Sequence, residues 1–388
     1  MSIKIGIDAH GVGGNSLGCG NETYFGNLIK SLLDLDPQNE YHIFTNRPEH
    51  LAESIGTKPN AKLVSLIPHS QWLQRPISVP LYAKKHKLDI LHFPFVRPPF
   101  TRARCVITVH DVCFETYPEY FRTLEHLRMR TLIPRSCRRA DCIFTVSEAA
   151  RQEIHGLYGI DLAKIVVTPN AADHIQPSSR ASSTVRVLGV PTPYILYAGV
   201  LQPRKNLVRL VQAFDQLKSN TSLPHKLVLC GKWGWGNEDL KRCLTKSPNR
   251  ENIHLTGYLP SEQFHTLMAG ASLFVFPSLF EGFGIPPMEA QGCKVPVVVS
   301  ETSCFPEIYG DSVLYCDPFD SRSIARAIER APHADALRSI LIERGNRNWR
   351  RYSWSKTAGI ALRQYVSLHN DGVPVSQVNV RATAVKGA

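Results

Sequence analysis

Short unbroken runs of apolar residues alternate along the chain with longer amphipathic stretches. The run at 273–276 is typical of a parallel strand that is buried on both faces. Similar runs predict strands at 3–7, 41–45, 62–67, 90–93, 105–109, 143–146, 165–168, 194–198, 226–230, 253–255 and 296–299. Apolar positions at helical spacing predict helices at 22–35, 74–87, 122–140, from 148, at 207–217, 261–269, 286–292, 321–330, 334–352 and 354–368, with Ser147 and Ser261 as N-caps.

Strands alternate with helices in both halves of the chain. This order predicts an α/β fold with two doubly wound, Rossmann-like domains that face a central cleft. We expect the domains to cover residues 1–180 and 181–352, with a linker at 170–192 that is rich in Pro and Ser. A helix at 353–368 is expected to cross back to the first domain, and 369–388 to form a flexible tail.

Glycine-containing loops follow several of the predicted strands. The first runs from Gly11 to Gly20, and others begin at Gly199, Gly231 and Gly282. Glycine allows backbone to come close to a ligand, and ligands bind at the carboxyl ends of parallel strands. These loops therefore predict a ligand site in the cleft between the domains.

Four charged residues accompany these loops. Arg204 and Lys205 precede a predicted helix, and a helix N-terminus favours an anion. Glu281 lies in a loop and Glu289 in the expected first turn of the next helix, so both carboxylates should face one crevice. Each of the four alone is typical of a solvated surface charge. Together they offer cations for a phosphate chain and carboxylates for ring hydroxyls, which is what a sugar nucleotide requires.

His110 follows directly after the predicted strand at 105–109. A histidine in such a place is more often a structural hydrogen-bonding group than a catalyst. The carboxyl end of a parallel strand is, however, the part of the sheet that faces the cleft. We therefore expect His110 to lie at the crevice.

Composition limits the possible partners. The formal net charge of +12 favours nucleic acid, an anionic membrane surface or a phosphorylated ligand. No zinc-finger spacing, helix-turn-helix or aromatic stacking motif is found, so nucleic acid is not expected. The ten cysteines show no C-x-x-C pair, the chain opens on a strand and not on a leader, and no run of ~18 apolar residues occurs. These features predict a cytoplasmic protein with reduced thiols.

Two motifs carry a resemblance to a known family. Glu281-Gly-Phe-Gly-Ile-Pro-Pro-Met-Glu289 resembles the E-x7-E motif of retaining glycosyltransferases with the GT-B fold, the large family 4. Residues 199–206, about 75 residues earlier, resemble that family's G-x-x-x-x-R-K-N loop. Shorter matches occur at 109–111, 145–148, 169–170 and 352–357. The two motifs in this order are highly specific, and the resemblance extends over nearly the whole chain.

The resemblance implies a donor site in the second domain and an acceptor side in the first. Arg204 and Lys205 would hold the donor diphosphate. Glu289 would accept hydrogen bonds from the ribose and Glu281 from the donor sugar, while His110 would lie by the sugar and the acceptor hydroxyl. The implied catalytic residues are His110, Arg204, Lys205 and Glu281; the implied donor-binding residues are Gly18, Gly20, Arg204, Lys205, Gly231, Glu281, Phe283, Gly284, Ile285 and Glu289. The loop from Gly18 to Tyr24 departs from the family's usual G-I-G-R-Y.

The implied reaction is sugar transfer with retention from a GDP- or UDP-sugar, with GDP-mannose preferred. The acceptor would be a glycan or a lipid-linked glycan in bacterial polysaccharide or lipopolysaccharide synthesis. Front-face attack is favoured over a covalent intermediate on Glu281. Neither a cofactor nor a metal is expected, because Arg204, Lys205 and helix N-termini would stabilise the leaving group. The D-x-D at Asp34 and Asp36 closes a predicted helix and is interpreted as surface.

A basic helix is predicted at 122–139, where six arginines alternate with apolar residues. We expect it to lie on anionic lipid, which would place the protein at the inner face of the plasma membrane. A solvated basic face over an ordinary core stripe is the alternative. Two other functions stay open: another GT-B enzyme such as a sugar-nucleotide epimerase, or a basic nucleotide-binding module without catalysis. A phosphorylase would need a lysine that holds pyridoxal phosphate and a much longer chain.

Overall fold

The computed structural model describes residues 2–12, 20–56, 58–70, 73–175, 189–331 and 335–370. Its first half contains a seven-stranded parallel sheet in the order β3-β2-β1-β4-β5-β6-β7. The strands are β1 (Lys4–Asp8), β2 (Glu40–Phe44), β3 (Ala61–Val64), β4 (Ile90–Pro94), β5 (Arg104–Thr108), β6 (Cys142–Thr145) and β7 (Ile165–Val167). The helices are α1 (Gly20–Leu35), α2 (Pro48–Ile55), α3 (Val79–His86), α4 (Cys113–Thr116), α5 (Thr123–Arg139) and α6 (Glu148–Tyr158), and a π-helical turn (Gln74–Ser78) leads into α3.

The second half contains a six-stranded parallel sheet in the order β10-β9-β8-β11-β12-β13. The strands are β8 (Tyr194–Ala198), β9 (Lys226–Cys230), β10 (Ile253–Gly257), β11 (Leu273–Phe276), β12 (Val297–Ser300) and β13 (Leu314–Cys316). The helices are α7 (Leu207–Asn220), α8 (Glu238–Lys246), α9 (Ser261–Ala269), α10 (Ile285–Gly292), α11 (Phe305–Tyr309), α12 (Ser321–Arg330), α13 (Asp335–Trp349) and α14 (Trp354–Asn370). The predicted α/β fold with two doubly wound sheets is confirmed.

Both sheets reverse their strand order beside the first strand. β1 pairs with β2 on one side and β4 on the other, and β8 pairs with β9 and β11 in the same way. Such a reversal opens a crevice at the carboxyl ends of the two central strands. In the second sheet this crevice lies between the loops that follow β8 and β11, which are the loops that carry the charged motifs.

Helix α14 belongs to the second half by sequence but packs on the first. The Tyr365 hydroxyl lies 2.7 Å from Nδ1 of His92 on β4, and the hydroxyl of Thr357 donates to the Pro169 carbonyl at 2.6 Å. Tyr365 and His92 are both completely buried. The chain therefore crosses between its two halves twice, once before β8 and once before α14.

Several local predictions need correction. Ser147 caps α6 as expected, accepting from the Ala150 amide at 3.1 Å, but Ser261 is the first residue of α9 and Pro260 precedes it without a side-chain cap. Glu289 lies in the second turn of α10, since that helix begins at Ile285. Asp36 is buried at 6% exposure, where it accepts a hydrogen bond from the Tyr41 hydroxyl, so the surface interpretation is wrong for this residue.

The sequence pattern missed five short elements, which are α2, α4, α8, α11 and β13. The buried faces of α2 and α8 consist of only two residues each. Helix α2 buries only Leu51 and Ile55, and α8 buries only Leu240 and Leu244. Two buried apolar residues spaced by one helical turn do not stand out from a loop in a periodicity argument.

Candidate functional site

Three charged side chains meet where the loops after β8 and β11 lie side by side. Arg204 and Lys205 occupy a 3₁₀ turn, Pro203–Lys205, and Glu281 comes from the loop before α10. Nη1 of Arg204 lies 2.9 Å from Oε2 of Glu281, and Nζ of Lys205 donates to Oε1 of the same carboxylate. Lys205 and Glu281 are each 8% exposed, so the interpretation of Lys205 as a solvated loop cation is wrong. We call these three residues the donor cluster.

Electrostatics keep the carboxylate of Glu281 ionised. Burial acts to raise the pKa of Glu281, but the charges of Arg204 and Lys205 outweigh it and lower that pKa to about 2. Burial and the neighbouring guanidinium lower the pKa of Lys205, against the opposing effect of Glu281. Two basic side chains thus face one carboxylate, an arrangement that suits an anionic ligand.

The Glu281 loop is fixed by hydrogen bonds from its own domain. The Ser278 hydroxyl donates to Oε1 of Glu281 at 2.6 Å, and the Ser303 hydroxyl donates to the Glu281 carbonyl at 2.6 Å. The Tyr309 hydroxyl donates to the carbonyl of Gly284, whose φ of +85° favours glycine. The backbone conformation that presents Glu281 is therefore built before any ligand binds.

The two residues that flank Gly284 in this loop are buried. Phe283 is 2% exposed and meets the ring of Tyr352 edge-on at 5.3 Å, while Ile285 is 7% exposed and begins α10. Their side chains pack inward, so only their backbone N–H groups are suited to a ligand. The predicted use of these two residues through the backbone stays a prediction.

His110 brings the first domain to this loop. A Cβ added to Gly282 would lie 2.3 Å from the His110 carbonyl oxygen, so the two backbones are in direct contact. The imidazole packs edge-on against Tyr24 at 4.9 Å and Phe95 at 5.7 Å, and Nε2 lies 3.0 Å from Oδ1 of Asn21. Burial lowers the pKa of His110 to about 4, which leaves the ring neutral near pH 7.

The side chain of Glu289 contacts His174 and not the residues of the donor cluster. Its Oε1 is 3.2 Å from Nε2 of His174, a residue of the segment that follows β7. The imidazole of His265 on α9 lies 6.4 Å from that of His174. Burial lowers the pKa of His265, although the charge of Glu289 opposes this. No sequence motif pointed to His174 or His265.

The glycines of the predicted site differ in their surroundings. Gly18 lies outside the described residues, as does the domain boundary expected at 180–181. Gly20 is exposed at the start of α1, with nothing within 4 Å of an added Cβ. Gly231 has φ +145°, and an added Cβ would lie 2.0 Å from the Gly199 carbonyl oxygen. Gly231 thus lets the loops after β8 and β9 pack together.

Asn206 is a structural residue of the R-K-N motif. It adopts φ +62° and its side-chain amide donates to the carbonyls of Pro277 at 3.0 Å and Pro318 at 2.7 Å. This amide fastens the Arg204–Lys205 turn to the end of β11. The left-handed conformation explains why asparagine suits the position.

The described part of the chain contains neither a metal-binding cluster nor a helix that could cross a membrane. No group of three or more His, Cys, Asp or Glu side chains there is arranged to hold a metal ion. None of its helices is both long enough and apolar enough to span a bilayer.

Comparison with known families assigns the chain. The profile described as "Glycosyl transferases group 1" matches residues 184–348, and that described as "Glycosyltransferase Family 4" matches residues 19–175. The O-antigen chain mannosyltransferase B of Escherichia coli is 33% identical over 286 residues, which is 73% of this chain and 75% of that protein. The chain belongs to the family 4 glycosyltransferases of group 1, and it is a glycosyltransferase.

Other relatives agree with this assignment. The O-antigen chain mannosyltransferase RfbU of Salmonella typhimurium is 26% identical over 316 residues, covering 78% of this chain and 83% of that protein. Among solved structures, Anabaena HepE in complex with UDP and glucose superposes with a TM-score of 0.73 at 19% identity, covering 94% of this chain and all of that chain. The predicted GT-B fold is confirmed by this similarity.

Proposed function

We propose that the protein transfers mannose from GDP-mannose to a glycan or lipid-linked glycan in bacterial lipopolysaccharide or polysaccharide synthesis. One observation carries the donor part: Arg204, Lys205 and Glu281 converge at the carboxyl ends of β8 and β11. The names of the E. coli and Salmonella relatives support mannose and O-antigen synthesis. In this proposal the nucleotide sugar is a substrate, and no cofactor takes part.

The donor diphosphate would take the place of Glu281 as partner of the two cations. Arg204 suits a bidentate contact with phosphate and Lys205 a point contact. Phosphate oxygens would draw the cations away from Glu281, which frees its carboxylate for the sugar hydroxyls. Because Arg204 and Lys205 would neutralise the charge that develops on the leaving group, the proposed reaction needs no metal.

Retention follows in this proposal from attack on the face that the phosphate leaves. The bond from C1 of the sugar to the phosphate oxygen breaks, and the bond from C1 to the acceptor oxygen forms on the same face. The acceptor proton passes to the departing phosphate oxygen, and GDP is released. His110 would lie beside the sugar as a neutral hydrogen-bonding group, since its pKa is lowered to about 4.

Incubation of the purified chain with GDP-mannose, UDP-glucose or UDP-galactose tests the proposal. The acceptor is a bacterial lipid extract that contains lipid-linked glycans, and the buffer contains EDTA. We expect mannose transfer from GDP-mannose, and an α-anomeric signal in the product by NMR. Loss of transfer in EDTA would contradict metal independence. Interconversion of the free nucleotide sugars would instead indicate an epimerase, and binding without turnover a nucleotide-binding module.

We further propose that α5 rests on anionic lipid at the inner face of the plasma membrane. Only Ile133, Pro134, Ser136 and Cys137 of this helix are buried. Leu124 and Leu127, in its first half, are 76% and 58% exposed. The helix therefore presents apolar residues as well as arginines to the outside, a combination that suits a lipid interface.

Vesicle sedimentation tests the membrane proposal. We expect binding to phosphatidylglycerol vesicles but not to phosphatidylcholine vesicles, and a loss of binding in the variant Leu124→Ser, Leu127→Ser. The matched control is Leu81→Ser, which removes another exposed leucine, at 64% exposure, from α3. Equal sedimentation of all three proteins with both lipids would contradict the proposal.

A further inference from the structure

His174 lies between Glu289, the predicted ribose-binding residue, and Trp354, where the chain returns to the first domain. Nε2 of its imidazole lies 3.2 Å from Oε1 of Glu289, and the indole N–H of Trp354 donates to Nδ1 at 3.3 Å. The His174 side chain is 24% exposed and that of Glu289 is 10% exposed. The imidazole therefore links a residue of α10 to the first residue of α14.

Trp354 fixes which ring nitrogen of His174 carries the proton. An indole N–H is a donor only, so Nδ1 must accept and stays unprotonated. In the neutral ring the proton is then on Nε2, which faces a carboxylate oxygen that can only accept. In an imidazolium, Nδ1 would also carry a proton, and this N–H would point at the indole N–H of Trp354. The geometry selects the neutral ring with Nε2 as donor.

Trp354 is itself held in place on several sides. Its amide N–H lies 3.2 Å from both carboxylate oxygens of Asp173, and its ring is 3% exposed and lies edge-on to Tyr24 at 6.0 Å. The indole N–H of Trp349 donates to the Ala172 carbonyl at 3.2 Å. The segment that carries His174 is thus bound to the start of α14 and the end of α13.

We propose that His174 is a positioning residue for the donor: its Nε2–H holds Oε1 of Glu289 and leaves Oε2 for the ribose hydroxyls. Within the described residues, Oε2 of Glu289 makes no hydrogen bond. A carboxylate fixed by one oxygen meets a hydroxyl pair at a smaller entropic cost than a freely rotating one. This inference rests on the proposed donor binding and extends it to a residue outside both motifs.

Calorimetric titration with GDP, together with initial rates on GDP-mannose, tests the inference. His174→Leu removes the donor to Glu289, and we expect Kd for GDP and KM for GDP-mannose to rise about ten- to hundredfold, with kcat little changed. His174→Gln can accept from Trp354 and donate to Glu289, so it should restore most of the affinity. His155→Leu is the matched control, because His155 lies on α6 and its imidazole makes a hydrogen bond to the Ile160 carbonyl.

A nitrogen-15 spectrum of the imidazoles gives a test that needs no ligand. It should show His174 as the neutral Nε2–H form in the wild type, and Trp354→Phe should remove that preference and weaken GDP binding. Unchanged GDP affinity in His174→Leu, equal losses in the Leu and Gln variants, or an Nδ1–H form in the wild type would each overturn the inference. A wild-type protein that binds neither GDP nor UDP would overturn the proposed function and this inference with it.

Discussion

At the scale of single residues, the donor cluster is unequal in charge. Glu281 faces two cations, Arg204 at 2.9 Å and Lys205 in a direct hydrogen bond. Removing the carboxylate leaves the buried Lys205 and the partly buried Arg204 without their partner, whereas removing Lys205 leaves an intact pair. The two substitutions should therefore lower the free energy of unfolding by different amounts, because an uncompensated buried charge destabilises the folded protein.

We predict that Glu281→Gln lowers the free energy of unfolding by about 3–5 kcal/mol and Lys205→Met by about 1–2 kcal/mol. Denaturant unfolding of both variants and of the double variant checks this. Lys241→Met is the control, because Lys241 pairs with Glu238 at an exposed site where an ion pair contributes little. A larger loss in Lys205→Met than in Glu281→Gln would contradict the described charge balance.

His110 provides a pH prediction. The folded pKa is about 4 and the ordinary value is 6.5, so below pH 6.5 the unfolded chain takes up a proton that the folded chain does not. The contribution of His110 to the free energy of unfolding is complete above pH 6.5 and falls as the pH approaches 4. His92, with a pKa lowered by burial to about 3, adds a loss of the same sign.

The wild type should therefore lose stability between pH 7 and pH 5, and His110→Asn should lose on the order of 1–2 kcal/mol less over that interval. Urea denaturation at the two pH values measures the difference between the proteins. If both proteins lost the same free energy, His110 would not be a buried neutral imidazole in the folded state.

At the scale of elements, the loop between β11 and α10 touches the end of β5. The contact depends on Gly282, which has no side chain to separate the two backbones. An alanine there would need to displace the His110 carbonyl, which lies 2.3 Å from the added Cβ. Since Glu281 is the preceding residue, any displacement moves the donor cluster relative to the acceptor side.

We predict that Gly282→Ala lowers the rate of the proposed mannose transfer by about 100-fold, since a shift of about 1 Å between reacting groups has that effect. Steady-state rates with GDP-mannose and the extracted acceptor check it. Gly156→Ala is the control, because an added Cβ at that position in α6 meets nothing within 4 Å. A Gly282→Ala enzyme with wild-type rates would show that the two loops need not touch during transfer.

The sequence was most informative about elements with continuous apolar runs and least informative about contacts between distant residues. Every strand of the two sheets except β13 was predictable, because parallel strands are buried on both faces. Glu281 and Arg204 were predictable because their motifs are local. His174 was not, because its partners Glu289 and Trp354 are 115 and 180 residues away and its own stretch shows no periodicity. Only the fold brings these residues together.

At the scale of the whole molecule, a side chain of α11 contributes to holding the two halves together. The carboxylate of Glu307 on α11 accepts from the amides of Glu148 and Ala149, each at 2.8 Å. These are the first residues of α6, so a side chain of the second half satisfies a helix N-terminus of the first. This contact favours the arrangement in which the donor cluster faces His110.

We predict that Glu307→Ala weakens this arrangement by about 0.5–2 kcal/mol, the usual contribution of a helix N-cap. The variant should show a larger radius of gyration in small-angle X-ray scattering and a lower kcat/KM for the acceptor. Glu343→Ala is the control, since Glu343 is 71% exposed and pairs only weakly with Arg347 on its own helix. Identical scattering curves for all three proteins would contradict the proposed role of Glu307.

The binding of GDP to the donor cluster is the most direct test of the whole account. Titration calorimetry of the wild type and of the double variant Arg204→Leu, Lys205→Met measures it, with His155→Leu as the control. We predict that the wild type and the control bind GDP alike and that the double variant binds at least about 100-fold more weakly, because two charged contacts to the diphosphate are lost. Equal affinity in all three proteins would contradict the assignment of Arg204 and Lys205 to the donor diphosphate.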